Sequence, residues 1–283
     1  MVTSTPARNL NGKTLFITGA SRGIGLAIAT RAARDGANIV LVAKTTVPNP
    51  KLPGTLYSAA DEIKAAGGQA LAVPCDIRDD AAVAAAVEGA IKRFGGIDIL
   101  VNNASAISLT PTAATPMKRF DLMFGVNVRG TYACTQACLS ALIKSAQAGR
   151  NPHILNMSPP LSLQPHWFAH HVAYTMAKYG MSMCTLGHAA EFKEFGIGVN
   201  SLWPRTAIAT AALQLIPGID AQKCRMPEIV SDSAWVILTS DAKRTTGNFF
   251  IDDTLLAEHG ETNFDRYAMS PGTKDLIPDF FVD

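Results

Sequence analysis

From residue 13 onward the chain alternates short, nearly unbroken apolar runs with longer stretches whose apolar residues return at helical spacing. The runs "TLFIT", "NIVLVA", "ALAVPCD", "IDILVNNA", "HILNMS" and "GVNSLWP" read as strands. They are apolar at almost every position, as strands covered by helices on both faces require. Between them lie "GLAIATRAARDG", "SAADEIKAAGG", "AAVAAAVEGAIKRFGG" and segments around 117–147 and 171–195, all of helical pattern. A helix at 227–239 leads to a seventh strand, "GNFFID". Such alternation builds βαβ units and a parallel sheet. The expected fold is doubly wound α/β, with a seven-stranded parallel sheet and helices on both faces. No linker or composition shift divides the series, so one domain over 1–283 is expected. Its core would run from about 13 to 252, with a tail over 253–283 whose aromatic residues suggest docking on the body.

Composition narrows the setting. Hydrophobic residues make up 48% and charged residues 17%, enough for a large core. The net charge is only +2, without the basic footprint of a nucleic-acid binder. Five cysteines, Cys75, Cys134, Cys138, Cys184 and Cys224, lack metal-ligand spacing and read as reduced, packed thiols. No apolar run reaches membrane-span length, "MVTSTPARNLNGK" lacks a signal-peptide core, and "DFFVD" is not a peroxisomal address. A soluble, cytoplasmic protein is the expectation.

"LFITGASRGIGLAIA" places Gly19, Gly23 and Gly25 straight after the first strand and at the start of a helix. A turn this tight needs residues without a Cβ, both for torsion and for close approach of a phosphate to the helix N-terminus. The second strand ends in Ala43 and Lys44, with no acid to accept ribose hydroxyls, and Arg22 sits inside the glycine turn. Two cations and no acid favour NADP(H), although either could be an ordinary surface charge. Tyr174 and Lys178 stand four apart, on one face of a helix. An ammonium near a phenol lowers the phenol's pKa from about 10, making Tyr174 a usable general acid or base. Lys178 could also hold the nicotinamide ribose.

The motifs "TGASRGIG", "CDI", "NNAS", "GVN" and "YTMAK", in this order, resemble the short-chain dehydrogenase/reductase family over residues 13 to about 252. The resemblance implies a Rossmann fold and NADP(H)-dependent hydride transfer to or from a carbonyl or secondary alcohol of EC 1.1.1 type. Gly19, Ser21, Arg22, Gly23, Ile24 and Gly25 would form the pyrophosphate turn, and Lys44 would meet the 2′-phosphate. Asp76 would contact adenine, Asn103 and Ala104 would border the adenosine ribose, and Asn127 would hold a relay water. It also implies a catalytic serine 13 residues before the tyrosine, where this chain has Leu161. Ser158, at the strand end, is the chosen candidate and Ser162 the runner-up. Pro159, Pro160 and Pro165 stiffen this loop. His166, His170 and His171 read as loop or pocket wall, with no metal expected. Arg205 stands where the family often has glycine, either for a substrate carboxylate or phosphate or turned to solvent. The aromatic loop suggests a lipid-like or apolar substrate. Apolar residues on several faces of the two long helices, with the resemblance, imply a homodimer or homotetramer. Two other readings stand beside the oxidoreductase: an NADP(H)-binding regulator or scaffold with little turnover, and an enoyl reductase.

Overall fold

The strands owe their burial to the alternation of side chains across the sheet. In the computed structural model, which describes residues 8–50, 52–211, 213 and 218–282, the strands are Thr14–Thr18 (β1), Asn38–Ala43 (β2), Gln69–Pro74 (β3), Ile99–Asn102 (β4), His153–Asn156 (β5), Gly198–Trp203 (β6) and Phe249–Ile251 (β7). They form one parallel sheet in the order β3-β2-β1-β4-β5-β6-β7. Leu15 and Ile17 of β1 join one core cluster while Phe16 between them joins another. Successive strand side chains point to opposite faces, so one five-residue strand feeds two cores.

The helices are Gly23–Ala33 (α1), Leu56–Ala65 (α2), Asp80–Phe94 (α3), Met117–Met123 (α4), Gly130–Gln147 (α5), Val172–Glu191 (α6), Glu228–Leu238 (α7) and Asp252–Glu258 (α8). The long helix expected over 117–147 is one helical path broken by a π-turn, Phe124–Arg129. Asn127 lies in that turn and spends its amide on the loop after β4. Its Oδ1 accepts from the Ala106 N–H at 2.7 Å and its Nδ2 donates to the Ala106 carbonyl at 3.0 Å. The helix expected over 171–195 ends earlier, with a short 3₁₀ turn at Lys193–Phe195.

The strand order reverses between β1 and β4, and ligand crevices open outside the carboxyl ends of strands at such a point. A buried polar chain holds that edge together. Asn102 donates to Asn156 at 2.9 Å, Asn156 to Thr185 at 2.8 Å, Thr185 pairs with Ser201 at 2.7 Å, and Ser201 with Ser158 at 2.8 Å.

The opposite edge is held by Asp98, just before β4. Its carboxylate accepts from the Thr14 N–H at 2.9 Å, Ser145 Oγ at 2.7 Å and Arg150 Nε at 2.7 Å. Burial alone would raise this carboxyl, but the hydrogen bonds from Arg150, Ser145 and Thr14 prevail and hold it below the usual range. A depressed folded-state value gives stability that is present above the unfolded pKa and lost as pH falls through the folded one. Asp98→Ala should therefore lower the unfolding free energy by about 3 kcal/mol. Urea titration at neutral pH reads this as a lower midpoint with unchanged slope, and the gap to the parent should close in acid.

Candidate active site

The turn after β1 is shaped by what a Cβ would strike. Gly19 has φ of +67°, and a Cβ there would lie 2.8 Å from the Ala104 Cα. At Gly25 it would lie 2.7 Å from the Gly19 carbonyl. The turn is tied to the end of β4. Thr18 Oγ1 accepts the backbone N–H groups of Asn103 and Ala104, each at 3.0 Å, and Asn103 Nδ2 donates to the Thr18 and Gly19 carbonyls. Outside lies a groove of about 460 Å³, lined by Gly19, Ser21, Arg22, Gly23 and Ile24 from the turn and by Lys44, Asp76, Asn103 and Ala104. Gly25 is not on its wall; it lets the start of α1 lie close against the turn and the Asn103 amide.

Charge gathers at one end of this groove. Lys44 Nζ lies 3.4 Å from Asp76, whose carboxylate also accepts from Arg78 Nε at 3.0 Å. The Arg78 hydrogen bond, against the cost of burial, holds the Asp76 carboxyl well below the usual carboxylate range. Asp76 is thus engaged by Arg78, a partner two residues on that was not singled out in the sequence. Arg22 donates through its guanidinium to the Gly54 carbonyl at 2.8 Å, while its buried Nε has no hydrogen-bond partner among the described residues.

Tyr174 and Lys178 both face a second cavity of about 230 Å³. It shares Ile24, Asn103, Ser105 and Thr210 with the glycine groove, so the two adjoin. Lys178 is buried. Its Nζ donates to the Met157 carbonyl at 3.0 Å and sits 4.9 Å from the centroid of the Trp203 ring. Burial lowers the ammonium's pKa to about 8, with the Asp279 charge opposing. The phenol departs from the expected acidification: burial first, and then the charge of Asp279, push Tyr174 upward. Desolvation outweighs the helical neighbour in the protein by itself.

Of the other catalytic candidates, Ser158, Ser162 and Asn127 do not line this cavity. Ser158 is fully buried and paired with Ser201, its hydroxyl belonging to the polar chain behind the sheet edge. Ser162 lies off the cavity wall, its Oγ accepting the Gln164 N–H at 3.3 Å. Asn127 lies outside both cavities. Arg205 lies off the wall of this cavity with its side chain 37% exposed: its Nε donates to Asp253 at 2.9 Å and its Nη2 to Thr254 at 2.9 Å. His171 pairs with Thr175 at 3.0 Å and packs edge-on against Phe280, and His166 lies against Trp167. Among the described residues no three His, Cys, Asp or Glu side chains cluster as a metal site.

Sequence reasoning missed Asp279 and Phe280, which the chain's last turn brings into the cavity wall. Phe281 packs behind them, its ring 5.3 Å from Tyr179 and 5.9 Å from Trp203. The aromatic pair in "DFFVD" signalled docking, but nothing in the local spacing marked the aspartate.

A family model described as short chain dehydrogenase matches residues 13–216. Hydroxysteroid dehydrogenase-like protein 2 of Xenopus tropicalis is 59% identical over 275 residues, which are 97% of this chain and 64% of that protein. The chain thus spans 64% of the length of this curated relative. The crystal structure of a putative dehydrogenase from Xanthomonas campestris is 57% identical with a TM-score of 0.93, over 97% of this chain and 99% of that one. More distant structures are a Mycobacterium paratuberculosis short chain dehydrogenase bound to NAD, at 25% identity and TM-score 0.71, and a metagenomic short-chain oxidoreductase in complex with NADP, at 27% and 0.69. Each covers 86% of this chain and is itself covered to 97%. A match of this extent shows the family: the chain belongs to the short-chain dehydrogenases.

Proposed function

We propose that this oxidoreductase is NADP(H)-dependent and moves a hydride between nicotinamide and the carbon of a carbonyl or secondary alcohol. The observation that carries the proposal is the junction of the glycine groove with the cavity of Tyr174 and Lys178, through Ile24, Asn103, Ser105 and Thr210. The residues present fit a phosphorylated dinucleotide. The turn leaves no room for a Cβ at Gly19, the α1 N-terminus opens on the groove, and the orphaned Arg22 Nε is a buried donor suited to an anion. Relatives are described with NAD and with NADP, so the preference rests on Lys44, Arg22 and the absence of an acid at the end of β2.

When bound, the nicotinamide supplies or takes up the hydride. Tyr174 holds the proton for the substrate oxygen at its phenol, and Lys178 lends its positive charge to the phenolate and its remaining donors to the nicotinamide ribose. Asn127 positions the Ala106 backbone, and Ser158 fixes the end of β5 without touching substrate. Ile107, Met157, Trp203, Ile208 and Phe280 make the cavity wall apolar, which suits a lipid-like substrate. The five cysteines are free, in keeping with the cytoplasm. No helix among the described residues is long and apolar enough to cross a membrane. Exposed Tyr132 on α5 and Met183 and Leu186 on α6 form an apolar face for pairing into a dimer or tetramer. A cofactor-binding scaffold is the second reading, favoured by the engaged Ser158 hydroxyl and the raised phenol.

Tyr174→Phe should cut NADPH oxidation with aldehydes or ketones by about 10²-fold or more, while fluorescence titration shows NADPH affinity unchanged. A parent that binds NADPH yet oxidises none with any carbonyl would favour the scaffold. Arg22→Ala and Lys44→Ala should each weaken NADPH binding by about tenfold, leaving NADH binding nearly as it was; equal losses for both cofactors would remove the 2′-phosphate assignment. Light scattering should give the parent the mass of a dimer or tetramer and Met183→Glu/Leu186→Glu that of one chain.

A further inference from the structure

The tail reaches the cavity by a run of pinned contacts. The Ala207 N–H donates to the Ile277 carbonyl at 2.8 Å, the Asp279 N–H to the Arg205 carbonyl at 2.9 Å, and Trp203 Nε1 to the Phe280 carbonyl at 2.7 Å. Pro278 bridges Thr206, and Phe281, at φ of +73°, is buried against Tyr174, Tyr179 and Trp203. These bonds bracket Asp279 on both sides and place it on the wall that Tyr174 and Lys178 share, with its carboxyl near enough for its charge to act on both. One carboxyl oxygen accepts the Phe280 N–H at 2.7 Å.

Reduction of a carbonyl builds negative charge on the substrate oxygen, and a second donor beside the phenol stabilises it. Ser158 is not placed to be that donor, because its hydroxyl is bound to Ser201 behind the sheet edge. We propose that the Asp279 carboxyl, carried into the cavity by the C-terminal tail, is a catalytic residue that donates this second hydrogen bond to the substrate oxygen. The proposal rests on the hydride-transfer reading above. In the step, the hydride forms the new C–H bond, the carbonyl π pair moves to oxygen, Tyr174 gives its proton to that oxygen, and Asp279 keeps its own.

The surroundings suit a carboxyl that is protonated near neutral pH. Burial raises Asp279 to about 7, the Phe280 N–H and Lys178 pull it down, and Asp252 pushes it up. Facing it are Lys178 and Tyr174 from α6, Asp252 from α8 and Cys224, while the Arg205 guanidinium is turned to Asp253. The donor form exists below the midpoint and is lost above it, where a carboxylate would repel the developing alkoxide.

The test uses the full chain with NADPH and whichever of nitrobenzaldehyde, octanone or a β-ketoacyl-CoA is reduced fastest. The parent kcat should fall as pH rises through about 7. Asp279→Asn retains an N–H donor and cannot ionise, so its profile should be flat through that range. Asp279→Ala should lose about 10²-fold in kcat with NADPH affinity and thermal midpoint near those of the parent. Independently of turnover, the carboxyl carbon signal of ¹³C-aspartate-labelled protein without cofactor should contain a titration near 7 that Asp279→Asn removes. A carboxyl that titrates in the ordinary aspartate range, or an Asp279→Ala enzyme with the parent's rate and pH profile, overturns the donor role while Tyr174→Phe still tests the oxidoreductase. A parent inactive on every carbonyl overturns the hydride-transfer reading itself and the donor with it.

Discussion

Everything at the carboxyl edge of the sheet depends on a chain of buried hydrogen bonds from Asn102 through Asn156, Thr185 and Ser201 to Ser158. Five polar side chains inside an apolar sandwich are tolerable because each finds a partner in the next. Their geometry locks β4, β5 and β6 to α6, the helix that carries Tyr174 and Lys178. With that edge rigid, the Met157 carbonyl next to it can accept a hydrogen bond from the buried Lys178 ammonium. The same chain engages the Ser158 hydroxyl.

The electrostatics follow from burial more than from pairing. Lys178 sits against a carbonyl and the face of an indole, with no carboxylate of the described residues within ion-pair distance, and its value drops towards neutrality. Tyr174 rises for the same reason in the opposite chemical sense, because desolvation penalises phenolate and ammonium alike. On the proposed hydride-transfer reading, proton exchange at the phenol needs help from charge that arrives with the cofactor or substrate. The groove's other end is built differently: Asp76, Arg78 and Lys44 stand partly in solvent, where their mutual attraction is weak.

The tail changes the character of the site. Residues 277–281 run along the segment after β6 and cover the aromatic cluster of Trp203, Tyr179 and Tyr174. Without them this cluster would present a large apolar surface to water. With them, Asp279 and Phe280 join the cavity wall.

The order of strands and helices, the glycine turn and the shared face of Tyr174 and Lys178 were legible in the chain alone, because each is a local regularity. Strand burial shows as unbroken apolar runs, helix faces as returns at three and four residues, and the turn as glycines where torsion and close approach exclude a Cβ. What stayed hidden involved partners remote in sequence or geometry that neighbours impose. The rigid place of Ser158 at a strand end is visible in the chain, while its partner, 43 residues away, is not. The π-turn that aims Asn127 at Ala106 has no period of its own within an unbroken helical pattern. Arg205 found Asp253, 48 positions on, and Asp279 reached Lys178 from about a hundred residues away. Such meetings are decided by how the sheet twists and where the tail can lie, and those are properties of the packed molecule as a whole.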